Sequence, residues 1–370
     1  MTMESSLSME KKEAMTENAA SFRPRWHFTP RFGWINDPNG LVCHDGRYEL
    51  YFQHNPKALV WGNMTWGHAI SGDLVHFHEL EPSLFPDEEG TMFSGCGIVN
   101  EHGLLNLPKD ALIYFYTVAT HRDETKPESD QPWFKIRLAY SLDGGKTLIK
   151  AFDPVLESLA VSNRDPKVFY HEETKAYVMV LWLENHDFGI FRSENLLHFE
   201  LSDRITLEKG FECPDLFRLE VEGTDEKKWV FWAADGSYYV GSFDGFHFIQ
   251  EEPRRLAYQT KLPYAAQTYS GTGKVLQIAW LRTKTRGEAF TGMLSLPREL
   301  SLQKKEGAYL LQMRLPENVK DILRKESAAA PQDLYYGIED GWEIVKDCGI
   351  VEKTRTDGTD LIILDEWNEA

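Results

Sequence analysis

The sequence has few cysteines and no long hydrophobic run. Its four cysteines, Cys43, Cys96, Cys213 and Cys348, lie far apart without Cys-x-x-Cys spacing, so we expect neither disulfides nor a zinc site. No run is long enough to span a membrane, and residues 1–22 are polar and charged without the apolar core of a signal peptide. We therefore expect residues 1–22 to form a flexible polar leader, and we expect a cytoplasmic protein without a membrane partner.

Positive charge is also scarce. The chain has 40 Lys and Arg residues against 58 Asp and Glu residues, a formal net charge of −18. Such a charge disfavours nucleic acids and anionic membranes as partners, because both repel an acidic surface. It also weighs, less strongly, against a polyanionic substrate.

β-strand patterns fill the chain from residue 41 to residue 280. They are rich in β-branched and aromatic residues and are bounded by Gly, Asp, Asn or Pro. Examples are residues 48–52, 111–116, 176–182, 229–233 and 275–280. No amphipathic helix interrupts these patterns before residue 300, which predicts an all-β protein.

The character of the sequence changes after Pro297. Residues 317–325 predict a short helix, and the Ala-Ala-Ala-Pro at residues 328–331 predicts a linker. The last forty residues hold two or three candidate strands, too few for a second sandwich domain. We predict three parts: the leader at residues 1–22, a catalytic domain at 23–300 and a C-terminal extension at 301–370.

A repeat organises the strands. A Ser-x-x-x-x-x-Phe element recurs from Ser71, Ser193 and Ser242, with a looser copy from Ser141. A short polar motif precedes each copy, and a fifth candidate motif contains Gln267. Units of roughly 40–50 residues match the blades of a β-propeller, so the repeat predicts a five-bladed β-propeller. The alternative is a β-sandwich with unrelated turn acids.

The polar motif of the first unit is residues 34–40, Trp-Ile-Asn-Asp-Pro-Asn-Gly. Pro38 favours an extended Asp37, and Asn39 followed by Gly40 favours a chain reversal. A carboxylate held between amides and beside an aromatic ring suits a sugar site. The alternative is an Asx-type turn that closes a surface hairpin.

Two further acids occupy the corresponding motifs, Asp165 after Arg164 and Glu212 before Cys213. In a propeller the innermost strands converge on the central channel, which would bring Asp37, Asp165 and Glu212 together. Two such carboxylates can hydrolyse a glycosidic bond. Asp37 suits the nucleophile, Glu212 the proton donor and Asp165 a third acid that Arg164 would keep ionised.

These motifs resemble the three signatures of glycoside hydrolase family 32, the family of invertases, levanases, inulinases and sucrose-phosphate hydrolases. Supporting matches lie at residues 51–56, 61–64, 66–69, 93–95 and 296–300. The resemblance implies a five-bladed propeller, retention of configuration, and no metal or organic cofactor. It implies Asp37 as nucleophile, Glu212 as acid/base and Asp165 as transition-state stabiliser. It also implies a fructose pocket lined by these side chains: Asn36, Gln53, Trp61, Phe93, Ser94 and Arg164.

The chain departs from the family at its C-terminal end. Family members usually carry a β-sandwich packed on the propeller, and only a remnant of it is expected here. Apolar surface left without that cover would favour self-association, so a homo-oligomer is one expectation. Cys96, directly after the Phe-Ser-Gly motif, is also unusual for the family.

We predict a glycosidase that cleaves β-fructofuranosidic bonds in sucrose, sucrose 6-phosphate or short fructans. Two alternatives are an inverting hydrolase of arabinan or xylan from a related propeller family, and a non-catalytic fructan-binding protein. The basic stretch at residues 282–286 is either a site for a phosphorylated sugar or, as we expect, an exposed loop.

Overall fold

The computed structural model describes residues 23–120, 134–151, 153–287, 289–332 and 334–367. Within these ranges β-strands supply nearly all of the regular structure, which confirms the all-β prediction. The predicted leader at residues 1–22 lies outside them. In the part of the chain that is described, no helix combines the length and apolar character needed to cross a membrane.

The first four strands form an antiparallel meander. They are β1 (Gly33–His44), β2 (Arg47–Asn55), β3 (Thr65–Ser71) and β4 (Phe77–Leu84). Strand β2 is buried on both faces from Glu49 to its end, with Leu50, Tyr51 and Phe52 fully inaccessible. Such double-sided burial explains the continuous apolar runs in the sequence.

Three more meanders follow in chain order. The second contains β5 (Gly90–Val99), β6 (Leu112–Thr120), β7 (Phe134–Ser141) and β8 (Ile149–Lys150). The third contains β9 (Arg164–His171), β10 (Ala176–Glu184), β11 (Asp187–Ser193) and β12 (Glu200–Thr206). The fourth contains β13 (Asp215–Glu220), β14 (Lys227–Trp232), β15 (Ser237–Phe243), β16 (Phe248–Gln250) and the short β17 (Arg255–Leu256).

The next five strands join the first meander. They are β18 (Pro263–Thr268), β19 (Leu276–Arg286), β20 (Phe290–Leu294), β21 (Arg298–Lys305) and β22 (Ala308–Arg314). Strand β20 pairs in parallel with β1, so a late part of the chain and its first strand share one sheet. Strand β21 passes through residue 300 and pairs with both β19 and β22. The division at residues 22 and 300 stays a prediction.

The repeated serine element lies between the third and fourth strands of the meanders. Ser71 Oγ accepts a hydrogen bond from the backbone N–H of Leu74 at 2.9 Å, and Ser193 Oγ accepts one from Leu196 at 2.9 Å. In the fourth meander Asp244 makes the equivalent turn. The repeat is therefore a side-chain-capped turn, in which a hydroxyl or carboxylate replaces the strand ladder as hydrogen-bond partner.

The C-terminal part begins with helix α1 (Glu317–Ala329). The predicted helix is confirmed, but the linker predicted from residue 328 was placed too early. Ala328 and Ala329 extend the helix, because alanine has the highest helix propensity and the helix is anchored through the buried Val319 and Leu323.

Four strands follow the helix within residues 334–367, more than the two or three that the sequence suggested. They are β23 (Leu334–Glu339), β24 (Trp342–Asp347), β25 (Ile350–Arg355) and β26 (Leu361–Asp365), and they form one antiparallel sheet. Leu334 and Val345 of this sheet pack in one buried cluster with Trp26 and Phe28. The N-terminal segment before β1 therefore connects this sheet to the rest of the molecule.

Candidate active site

All nine residues that the sequence indicated line one pocket of about 290 Å³. They are Asn36, Asp37, Gln53, Trp61, Phe93, Ser94, Arg164, Asp165 and Glu212. Cys213, Tyr264 and Trp280 complete the lining. Another cavity of similar volume, about 300 Å³, has Glu101 as its single lining carboxylate and so lacks an acid pair.

Each acid comes from the start of a different sheet. Asp37 lies on β1, Asp165 is the second residue of β9, and Glu212 lies three residues before β13. Ser94 on β5 adds a group from a further sheet, and Tyr264 on β18 adds one from the sheet that also contains β1. The polar motifs that the repeat identified therefore sit on or beside the first strands, which brings residues far apart in sequence into one pocket.

Irregular strand pairing orients these side chains toward the pocket. The register of β1 against β2 shifts between Ile35 and Pro38, and that of β5 against β6 shifts between Phe93 and Gly95. A bulge turns side chains away from the regular alternation of a strand. Asn36, Asp37 and Ser94 lie within these two shifts.

The chain reversal predicted at residues 39–40 is wrong, because β1 continues to His44. Gly40 has φ 54°, and a Cβ on it would lie 2.7 Å from the Tyr51 ring. Gly40 thus permits a bulge and close packing within the strand. The sequence correctly indicated a positive φ here, but in the structure this φ forms a bulge in a paired strand and not a turn.

The backbone is strained where the acids lie. Asp165, Glu212 and Cys213 have φ values of 64°, 56° and 39°, in the left-handed region that non-glycine residues rarely adopt. Cys213 N–H donates to Asp165 Oδ2 at 3.1 Å, and Glu212 C=O accepts from Ala234 N–H at 3.1 Å. The first contact joins two sheets and the second lies within the fourth meander, and both hold the strained conformation, as is common at functional sites.

Asp37 is held by donors on both sides. Its Oδ2 accepts from Ser94 Oγ at 2.5 Å and its Oδ1 from Asn36 Nδ2 at 3.1 Å. Trp34 Nε1 donates to Asn36 Oδ1 at 2.8 Å, which orients the amide so that its NH₂ faces Asp37. Burial raises the pKa of Asp37 and the nearby Glu212 adds to the rise, whereas the Ser94 and Asn36 hydrogen bonds oppose it. An ionised Asp37 is thus fixed in place but incompletely compensated.

Asp165 is buried, and burial raises its pKa to about 7. Arg164 opposes this rise, whereas Asp37 and Glu212 add to it. The sequence suggested that Arg164 would keep Asp165 ionised. Arg164 Nε lies 3.8 Å from Asp165 Oδ2, while the Arg164 Nη2 donates directly to Glu212 Oε1. Because the guanidinium is engaged mainly by Glu212, it compensates Asp165 incompletely.

Glu212 has a different donor on each oxygen. Arg164 Nη2 donates to Oε1, and Tyr264 Oη donates to Oε2 at 2.6 Å. The Arg164 guanidinium lies 4.2 Å from the centroid of the Trp182 ring and 5.2 Å from that of Phe134. This aromatic enclosure limits the positions that the guanidinium can take.

The pocket also offers aromatic surface and unused hydrogen-bonding groups. Trp61 is 56% exposed, with its ring edge-on to Phe93 at 6.0 Å. Gln53 Nε2 and Trp280 Nε1 are buried and have no hydrogen-bond partner within the described part of the chain. Buried donors normally find acceptors, so hydroxyl groups of a bound sugar are suitable partners for both.

Sequence reasoning missed Tyr264 and Trp280 and assigned no role to Cys213. Cys213 stood inside a motif, and its Sγ lies 3.5 Å from carboxylate oxygens of Asp37 and Asp165. Tyr264 and Trp280 had no local signal, since each is one aromatic residue in an apolar strand. Their pairing across β18 and β19 brings them to the pocket.

The basic stretch at residues 282–286 belongs to strand β19, so the expected exposed loop is wrong. Arg286 is buried and pairs with Asp365 of the C-terminal sheet. Arg282 is exposed, and its guanidinium carbon lies 4.6 Å from the centroid of the Tyr264 ring. Within this stretch Arg286 thus makes a structural contact, whereas Arg282 lies at the edge of the pocket.

One group of potential metal ligands occurs among the described residues: Asp37, Asp165 and Cys213, whose ligand atoms lie within 4.8 Å of one another. These atoms already have protein partners, since Cys213 contacts both carboxylates and Asp37 also accepts from Ser94. We therefore assign no metal to this group. The expectation that no metal or cofactor takes part stays a prediction.

The sequence matches the family profile described as Glycosyl hydrolases family 32 N-terminal domain over residues 27–313. It is 35% identical over 330 residues to a levanase of Bacillus subtilis, covering 80% of this chain and 47% of that protein. It is 37% identical over 293 residues to an extracellular exo-inulinase of Meyerozyma guilliermondii, covering 71% of this chain and 55% of that protein. The chain thus spans about half the length of these curated relatives.

Solved structures agree in fold. The exo-inulinase from Aspergillus awamori superposes with a TM-score of 0.80 at 22% identity, covering 92% of each chain. The fructofuranosidase from Schwanniomyces occidentalis, in complex with fructose, superposes with a TM-score of 0.78 at 25% identity, covering 94% of this chain and 92% of that chain. The profile match covers more than half of the sequence and includes all three pocket acids. This chain belongs to glycoside hydrolase family 32.

Proposed function

We propose that this chain is a retaining β-fructofuranosidase that acts on sucrose, sucrose 6-phosphate or short fructans. The observation that carries the proposal is the convergence of Asp37, Asp165 and Glu212 in one pocket with the six predicted sugar-binding side chains. The names of its relatives, levanase, exo-inulinase and invertase, support fructosides as the substrate class. The comparisons support neither of the alternatives, pentosan hydrolysis and fructan binding without catalysis.

In the first step Asp37 attacks the anomeric carbon of the fructosyl unit. The bond between that carbon and the leaving oxygen breaks, and Glu212 transfers a proton to this oxygen. The result is a covalent fructosyl ester on Asp37 and a free alcohol. The hydrogen bonds from Ser94 and Asn36 support this role, since they hold the Asp37 carboxylate in one orientation.

In the second step water attacks the same carbon. Glu212, now ionised, takes a proton from the water, and the ester bond to Asp37 breaks to release fructose. Two displacements at one carbon retain its configuration. Glu212 thereby returns to its protonated state, and Asp37 to its ionised state, ready for the next cycle.

Asp165 stabilises the positive charge that develops on the sugar ring. Its carboxylate is buried, and an ion in such a place exerts a stronger field than one in water. Gln53 Nε2 and Trp280 Nε1, which lack hydrogen-bond partners among the described residues, would bind sugar hydroxyls. Trp61 would cover an apolar face of the sugar from its exposed position at the pocket.

We further propose that the first strands surround a common channel, as in a closed five-bladed propeller. Side-chain contacts link neighbouring first strands, for example Gly95 N–H to Asn39 Oδ1 at 3.2 Å and Thr268 N–H to Asp215 Oδ2 at 2.9 Å. Ser270 N–H donates to Leu41 C=O at 3.0 Å, which links the end of β18 back to β1. The predicted cytoplasmic location and homo-oligomer stay predictions.

The test is release of fructose and glucose by purified protein from four substrates: sucrose, sucrose 6-phosphate, inulin and levan. NMR during the first turnovers identifies the anomer of fructose that is formed first. We expect hydrolysis of at least one substrate with initial release of the β-anomer. Initial release of the α-anomer would contradict retention, and folded protein without activity on any of the four would contradict the proposed function.

A further inference from the structure

The two oxygens of Glu212 differ in what their neighbours can accept. Oε1 faces the Arg164 guanidinium, whose five N–H groups can only donate. Oε2 faces the Tyr264 hydroxyl at 2.6 Å, which can donate or accept. An acid/base must alternate between ionised and protonated forms, and this asymmetry determines which oxygen can carry the proton.

A proton on Oε1 would point at an N–H donor and would cost the Arg164 hydrogen bond. A proton on Oε2 keeps the Arg164 contact, and the hydrogen bond to Tyr264 simply reverses its direction. We propose that Tyr264 is the positioning residue for acid catalysis, holding the transferable proton of Glu212 on Oε2. The inference rests on the proposed function of Glu212 as acid/base.

The surroundings of Tyr264 suit this role. Arg282 lies over its ring at 4.6 Å, and Trp280 meets it edge-on at 6.3 Å, so the ring is held from two sides. Burial and the neighbouring Glu212 raise the pKa of Tyr264, so its hydroxyl keeps its proton at every working pH. Tyr264 therefore reorients its own O–H without losing it.

The proton inventory is balanced through the first step. Before the step, Glu212 Oε2–H donates to Tyr264 Oη. As the glycosidic bond breaks, this proton moves to the leaving oxygen, and the Tyr264 O–H turns to donate to the newly formed carboxylate. The leaving oxygen must then approach Oε2, so the wall formed by Tyr264, Arg282 and the 40% exposed Phe211 borders the leaving group.

The test compares Tyr264→Phe with the wild type on two substrates. Sucrose has a sugar alkoxide leaving group that needs a proton, whereas p-nitrophenyl β-D-fructofuranoside has an aryloxide that leaves without one. We compare kcat/KM, which reports the steps through the first bond cleavage. We expect a loss of about 10- to 100-fold on sucrose, a part of the 10²- to 10⁴-fold of acid–base catalysis, and a loss of under about 3-fold on the aryl fructoside.

Tyr238→Phe is the matched control. The Tyr238 hydroxyl accepts a hydrogen bond from Leu311 N–H at 3.2 Å in a buried cluster away from the pocket. This variant also loses a buried phenol hydroxyl, so it should lose stability but show equal kcat/KM ratios on both substrates. Equal losses on both substrates for Tyr264→Phe, or no loss on either, would overturn the proposal.

A readout without turnover separates this inference from the proposed function. The urea midpoints of Glu212→Gln, Tyr264→Phe and the double variant should be non-additive, because the two side chains share a hydrogen bond. Additive midpoints would overturn the Tyr264 proposal even if fructosides are hydrolysed. Absence of fructoside hydrolysis by the wild type would instead overturn the proposed function.

Discussion

Two clusters of partly or fully buried carboxylates in this molecule have opposite electrostatics. The pocket contains Asp37, Asp165 and Glu212. A second cluster, here called the joint, contains Asp347 and Glu352 of the C-terminal sheet together with His27 and Arg298. Burial raises the pKa of Asp37 and of Asp165 in the pocket, whereas the pKa values of both joint acids are lowered despite their burial.

The joint provides a cationic or hydrogen-bonding partner for each carboxylate. His27 Nδ1 lies 2.9 Å from Asp347 Oδ2, and His27 Nε2 lies 3.1 Å from Glu352 Oε1. Arg298 pairs with the other oxygen of Glu352, and the backbone N–H of Trp26 donates to Asp347 at 2.8 Å. Burial opposes the charge of His27, but its two carboxylates outweigh burial and raise its pKa to about 9.

The comparison indicates that charge compensation, and not burial, separates the structural carboxylates of the joint from the pocket carboxylates that we propose to be reactive. Two cations serve two acids at the joint, whereas in the pocket the Arg164 guanidinium pairs with Asp165 and Glu212, two of the three acids. Incomplete compensation costs stability but leaves the carboxylates with free energy to gain from a developing positive charge. The joint lacks that reserve, so we assign it a purely structural role.

The largest expected effect is the loss of activity when a pocket acid is removed. Asp37→Ala and Glu212→Ala should each lower kcat on sucrose by about 10³-fold or more, because each removes a group that forms or breaks a bond. Steady-state kinetics measures the loss, and circular dichroism verifies the fold. Glu172→Ala, at an exposed position outside the pocket, is the control and should keep full activity. Retained activity in either pocket variant would contradict its assigned role.

The second effect is the loss of stability when a cation of the joint is removed. His27→Ala should lower the free energy of unfolding by about 3–5 kcal/mol, because it leaves two buried carboxylates with one cation. His76→Ala is the matched control: His76 also lies between two carboxylates, Asp73 at 2.8 Å and Glu326 at 2.9 Å, but its side chain is 51% exposed. The control should change the free energy by about 1 kcal/mol or less. Equal losses in urea denaturation would refute the contrast.

The third effect is a gain of stability when the charge of a pocket acid is removed. Asp165→Asn should raise the free energy of unfolding at pH 8 by about 2–4 kcal/mol, since it removes a buried charge with little compensation. Asparagine also tolerates the φ of 64° at this position. The same variant should lose most of its activity. A variant that is destabilised at pH 8 would show that Asp165 is compensated after all.

The pH dependence of this third effect has a definite sign. A carboxyl group whose folded-state pKa is raised binds its proton more tightly in the folded protein. The wild type should therefore lose stability relative to Asp165→Asn as the pH rises from 3.8 to about 7, and the difference should level off above that range. Urea midpoints of both proteins across this range measure it.

The smallest effect is the titration of the joint. The pKa of His27 is raised from 6.5 to about 9, so its contribution is complete below pH 6.5 and is lost as the pH rises through 9. The free energy of unfolding should fall by about 1–3 kcal/mol over that interval. His27→Gln should lack this slope, whereas His76→Ala should keep it. A slope of equal size in the wild type, His27→Gln and His76→Ala would show that a group other than His27 titrates.

Much of the fold was predictable because its signals are local. Alternation and β-branched residues identified the strands, and the Ser-containing turns identified the repeat, since both depend on neighbours within a few residues. The same short-range logic found Asp37, Asp165 and Glu212 in their motifs. It failed at Gly40, where the positive φ was used in a bulge and not in a turn.

Contacts between distant residues were not predictable. Tyr264 and Glu212 are 52 residues apart, and His27 and Asp347 are 320 residues apart. Neither Tyr264 nor His27 stands in a motif, so their partners appear only when the sheets are packed. The same holds for the role of Arg164, which the sequence assigned to Asp165 and the structure assigns chiefly to Glu212.

The sequence by itself determined the strands, the order of the repeats and the identities of the three pocket acids. The tertiary structure alone decided which acids are compensated, and which oxygen of Glu212 has a neighbour that can accept a proton. The physical reason is the range of the forces. Turn and strand preferences act over a few residues, whereas desolvation and charge pairing depend on every group packed around a side chain.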